Sequence, residues 1–218
     1  MLNGKEIDNS NLKHREIYFH CLYPQKMPKC YQYWKDILGK ETSTKNMYQI
    51  ISKTIQGNKQ KDFHWKCFHR AVYSETRLQQ MGKSNGTSKL CNISVETTCH
   101  LLYHCQCINY VWRLIEGKVT EMLNVIIDIN LCSVIYGIKQ GESKNDKNNE
   151  IVINSLLQET KWQIWKNRNH VKYGENPTLS VQKLYNKIVK GCKREFELYK
   201  NAQRIEIDEY LINIIDNL

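Results

Sequence analysis

Cys91, His100 and Cys105 stand in the order C-x8-H-x4-C within the stretch CNISVETTCHLLYHCQCINYVW. Thiolates and imidazole are donors that zinc takes in a closed tetrahedral site, and such a site wants four of them. Three residues before Cys91, where a C-x2-C pair would put its first thiolate, stands Ser88. Serine keeps its proton at neutral pH and offers a hard oxygen. The expectation is a zinc knuckle with one ligand replaced, in which Cys91, His100 and Cys105 hold zinc weakly. Cys99, His104 and Cys107 are close enough in sequence to complete the site. Cys99, however, adjoins His100, and neighbours on a helix point about 100° apart. The bland alternative is a core helix over 100–112, with Leu101, Cys105, Ile108 and Trp112 on one face and Cys105 a buried thiol.

The order of residues around these three resembles the zinc-binding region near the C-terminus of non-LTR (LINE-type) retrotransposon reverse transcriptases. The likeness is carried by Arg77-Leu78, Met81-Gly82, Cys91, Glu96-Thr97, His100-Leu101, Cys105 and Trp112. Weaker likeness extends it over roughly Tyr31 to Asn169. The resemblance implies a non-catalytic C-terminal piece that grips template RNA or target DNA beside a polymerase, or a remnant that has lost the role. A polymerase holds two metal ions on paired aspartates, and no Asp-Asp pair occurs here. The phosphate loop and H-E-x-x-H are also missing from the sequence. No enzymatic activity is expected of this chain.

Charge agrees with a polyanionic partner: 32 Lys+Arg against 22 Asp+Glu give +10. RNA or DNA, bound without sequence preference, is the expected partner. The candidate phosphate contacts are Lys166, Arg168 and Lys172 near the end of one expected helix, and Lys187, Lys190, Lys193 and Arg194 on the next. A charge run is more often a solvated face. In 61–73, His64, Trp65, Lys66, His69 and Arg70 interleave aromatic and basic groups that could stack on bases, although buried aromatics explain them as well. The alternative from another class is a helical protein-interaction scaffold with neither metal nor nucleic acid.

The positioning elements read as helices. Apolar residues recur at three- and four-residue intervals over 10–22, 30–38, 44–56, 61–73, 150–173 and onward from 177, and only three prolines interrupt the chain. A short helix is expected at 75–81, and helix is favoured over strand for 119–129 and 131–138. The fold class expected is mainly α, a bundle-like helical array with a small knuckle insertion at 88–112. The charged run KQGESKNDKNNE at 139–150 reads as a linker between 1–138 and a basic helical region at 151–218. No apolar run is long enough to span a membrane. An odd count of nine cysteines, with no apolar signal core at the start, points to reduced thiols in the cytoplasm or nucleus.

Overall fold

The computed structural model describes residues 29–39, 44–174 and 177–201, together with Tyr210, Asn213 and Ile214. Helix dominates, and no strand occurs among the described residues; an isolated antiparallel bridge joins Thr87 to Val95. In order the helices are α1 (Lys29–Leu38), α2 (Thr44–Lys53), α3 (Asn58–Phe68) and α4 (Glu75–Gln80). A single π-helical turn (His100–His104) follows, then α5 (Gln106–Leu123), α6 (Leu131–Tyr136), α7 (Lys144–Gly174) and α8 (Val181–Asn201). The helix expected over 10–22, and most of the 205–218 tail, lie outside the described residues.

α7 is the hub. It packs against α2, α3, α5, α8 and the π-turn. Val152, Ile153, Leu156, Leu157 and Ile164 supply its apolar contacts, yet Ser155, Thr160, Lys161 and Arg168 are equally buried. A helix surrounded on all sides loses the amphipathic stripe of a surface helix. Polar side chains tie it to its neighbours: Thr54 donates to Gln158 at 3.1 Å, and Gln56 to the Ser155 carbonyl at 2.9 Å.

Three expectations change. Helix does not run from 119 to 129. α5 stops at Leu123, and Asn124 enters the left-handed region (φ 51°, ψ 37°) while donating its N–H to the Thr120 carbonyl. Asparagine tolerates that region better than most residues, and a capping box between Asn130 and Ser133 then starts α6. The 139–150 run is not all linker. Ser143 Oγ accepts from the Asp146 N–H at 3.0 Å and the Asp146 carboxylate accepts from the Ser143 N–H at 3.2 Å, so α7 begins here. Finally, helix is not continuous from His100 to Trp112: it breaks at Cys105, with consequences for the site.

Candidate metal centre

The break brings two of the three ligands together. On an α-helix, residues five apart are about 140° out of register. In the π-turn the Cys105 N–H reaches the His100 carbonyl at 2.9 Å, an i to i−5 bond. Cys105 then turns extended (φ −66°, ψ 124°) as the N-cap of α5. The interruption leaves the Leu102 carbonyl to be satisfied by the Trp112 indole N–H at 3.0 Å. The Thr97 hydroxyl accepts from the His100 N–H at 3.1 Å and opens the turn. Thus the H-x4-C spacing is one π-turn, with Thr97 ahead of it and Trp112 behind it.

The third ligand comes from a tight loop. The Ser88 N–H donates to the Ser94 carbonyl at 2.9 Å, the Asn92 N–H to the Ser88 carbonyl at 3.0 Å, and Asn92 takes a positive φ of 55°. Ligand atoms of Cys91, His100 and Cys105 all lie within 4.8 Å of one another, and Cys91 Sγ is 3.4 Å from His100 Nε2. Zinc bonds of 2.0–2.3 Å set ligand atoms about 3.5–3.8 Å apart in a tetrahedron, so the trio fits three corners of a zinc shell. Bound zinc would cross-link the loop to the π-turn. Burial acts to raise the Cys91 thiol. The Ser94 and Ile93 amides, the Ser88 hydroxyl and the His100 ring outweigh it and bring the thiol down to about 6. Cys105, sealed from solvent, is pushed up to about 12 by burial and by its sulfur neighbours. One half-buried thiolate beside a buried thiol and an imidazole is a donor set suited to a soft or borderline cation.

Residues 29–112 match the family model described as zinc-binding in reverse transcriptase. The match runs from α1 through the first two turns of α5 and contains all three ligands. No curated protein and no solved structure matches the chain.

Within the matched region the remaining motif residues have structural partners. Met81-Gly82 ends α4: Gly82 takes φ 68°, its N–H donates to the Gln79 carbonyl, and the Lys83 N–H donates to that of Leu78. Glu96 is fully buried and accepts from the Glu75 N–H at 3.0 Å, the Lys89 N–H at 3.3 Å and Arg168 Nη2 at 2.7 Å. Arg168 also binds Glu75, which Lys172 joins at 2.6 Å. Burial would raise the Glu75 carboxyl, but Lys172, Ser84 and Arg168 hold it below its ordinary value. This buried cluster bolts α7 to the loop that carries Cys91. Sequence reasoning missed Glu75 and Glu96 as its anchors; the Glu96-Thr97 pair beside the ligands was the available signal.

The other candidate residues separate. Arg168 does not face solvent as expected of a phosphate contact, because its guanidinium is sealed between two glutamates. Lys172 is likewise engaged by Glu75. Lys166, Lys187, Lys190, Lys193 and Arg194 are exposed, and Arg194 pairs with Glu195 at 2.8 Å. Cys99 lies 3.8 Å from the Tyr33 hydroxyl, and Cys107 donates to the Leu90 carbonyl at 3.3 Å. His104 is exposed. None of these three belongs to the ligand cluster, whereas Ser88 is buried against Cys91.

Proposed function

We propose that the chain is a non-catalytic nucleic-acid-gripping module of the reverse-transcriptase type, of non-LTR retrotransposon descent, with a zinc knuckle weakened at Ser88. The match over 29–112 supports the descent. The observation that carries nucleic-acid binding is the outer side of α8. Leu184, Ile188, Cys192 and Phe196 face the core, while Lys187, Lys190, Lys193 and Arg194 are exposed on a chain of net charge +10. The pair with the mostly buried Glu195 does not remove Arg194 from this face, since the Arg194 side chain remains 62% exposed.

Binding to single-stranded RNA or DNA should be weak to moderate, indifferent to sequence and steeply salt-dependent, because each neutralised phosphate releases counterions. Filter binding or fluorescence anisotropy across a salt series tests this, with charge reversal at Lys190, Lys193 and Arg194 flattening the slope. No binding at low salt, with the fold intact, assigns the chain to the scaffold or remnant class instead.

A further inference from the structure

Trp162 and Trp165 lie one turn apart on α7, both half-buried, and both pack on Phe63 of α3 with ring centroids 5.4 and 5.6 Å from it. With Tyr73 they line a depression of about 570 Å³ whose edge carries Lys59, Lys66 and Arg77. Phe63 supports both rings, and cations flank them, Arg168 lying 5.2 Å from the Trp165 centroid and Lys166 5.7 Å from that of Trp162. The half-buried indoles keep exposed area on which bases can stack.

The depression does not stand alone. Arg77 also lines a polar pocket of about 310 Å³ that includes Lys29, Arg70, Thr76 and Thr97. In the other direction, Trp162 and Trp165 form the wall of a third hollow with Lys166, His170 and Tyr173. Lys166 and His170 continue into a fourth with Lys187 of α8. The four share walls in sequence and make one continuous track. Lys29, Lys59, Lys66, Arg70, Arg77, Lys166 and Lys187 are all exposed along it. Among the described residues lining it, Asp62 is the one carboxylate, and it pairs with Lys66 at 2.6 Å. A cationic rim over an aromatic floor complements a strand whose phosphates face one way and whose bases can unstack the other.

We propose that single-stranded nucleic acid lies along this track, with bases stacked on Trp162 and Trp165 and phosphates held by Arg70, Arg77, Lys66 and Lys166. This rests on the nucleic-acid reading above and places the strand at the α3–α7 surface, leaving the outer α8 lysines as a second, weaker attractor.

The test uses the full chain with short oligouridylate, oligothymidylate and an abasic strand of equal phosphate number. Uridylate or thymidylate should quench tryptophan fluorescence. Trp65→Phe, off the track, should keep the quenching, and Trp165→Phe should lose much of it. The abasic strand and Trp165→Leu should each weaken binding by about tenfold, the loss expected of one base stack. Arg77→Gln and Lys166→Glu should each lower the salt slope by about 0.7, one single-strand phosphate. If Trp165→Leu lowers the melting temperature too far to be read, the two surface-charge variants decide. Equal binding of the abasic strand without quenching overturns the track. So does unchanged affinity in the track variants while Lys190→Glu with Lys193→Glu abolishes binding, a result that leaves the proposed function standing. Competition by polyglutamate equal to that of the oligonucleotide also overturns it and points to an acidic protein partner. No binding of any strand removes both readings.

Discussion

Nζ of Lys161 lies 2.6 Å from Nδ1 of His64 and 2.6 Å from the Val134 carbonyl, and both side chains are sealed from solvent. The lysine reaches from the hub helix to an orphan carbonyl in the last turn of α6 and, on the way, meets a ring on α3. Burial drives Lys161 down to about 7, with the Cys67 thiol acting slightly the other way. Burial, and then the Lys161 charge, hold His64 well below its ordinary value.

The sign of the pH dependence follows. Unfolded lysine keeps its proton to about pH 10.4, so between about 7 and that value the unfolded chain binds more protons, and stability rises with pH. Below pH 7 both states are protonated and the cost of burying the ammonium is fully present. Burial also raises Cys67, to about 12, and that works in reverse above about pH 9. The thermal midpoint should therefore climb between pH 7 and 9, and Lys161→Met should flatten the climb. An identical slope in the variant would show that Lys161 is charged in the fold.

Arg168 between Glu75 and Glu96 gives a second prediction. Removing one partner of a buried ion pair leaves an uncompensated charge and costs about 3–5 kcal/mol. Arg168→Met should lose about that much in chemical denaturation. Adding Glu96→Gln should recover part of it, because Lys172 still serves Glu75. A double-mutant cycle measures the coupling; strict additivity would rule the network out as a unit.

How far the sequence reveals these features depends on what each pattern encodes. The helical class followed from three- and four-residue spacing, and the candidate trio Cys91, His100 and Cys105, which the fold brings together, from donor chemistry at a known interval. The break at Cys105 was not readable, because Leu101, Cys105, Ile108 and Trp112 fit an unbroken helix equally well. What ends it is a π-turn held by the Trp112 indole, a contact ten residues away in sequence. Arg168 was misplaced for a related reason. In a string of Lys166, Arg168 and Lys172 nothing local distinguishes the cation whose counter-charges, Glu75 and Glu96, arrive from more than 70 residues upstream.

Two helical glycines should respond oppositely to alanine. Gly117 in α5 has nothing within 4 Å of where a Cβ would sit. Gly117→Ala should then stabilise by up to about 1 kcal/mol, the helix-propensity difference. At Gly191 in α8 a Cβ would collide with the buried Glu159 carboxyl, itself held by Gln163 at 2.5 Å. Gly191→Ala should destabilise by about 1–3 kcal/mol, as overpacking does. Thermal melts of the two variants decide; a stabilised Gly191→Ala would mean that α7 and α8 pack less closely than described.

The metal prediction turns on Ser88. Its side chain is buried, accepts from the Leu90 N–H at 3.3 Å and lies close enough to Cys91 to help lower that thiol, so a thiol placed there would need little movement to join the cluster. As serine it supplies at best a neutral oxygen, and zinc held by Cys91, His100 and Cys105 lacks its fourth soft donor. Structural zinc contributes about 10–16 kcal/mol to small finger peptides, and losing one thiolate removes a large share of that. Ser88→Cys should therefore raise zinc affinity by well over tenfold in chelator competition. It should also confer a zinc-dependent rise in thermal midpoint, since ligand at about 100 times its Kd stabilises by about 2.7 kcal/mol. Cys107→Ser, whose thiol is turned to the Leu90 carbonyl, should leave zinc affinity unchanged. If the native chain binds zinc as tightly as Ser88→Cys, and Cys107→Ser weakens it, Cys107 rotates in as the fourth ligand. If neither protein binds zinc, the π-turn and loop keep the ligand geometry through protein contacts alone.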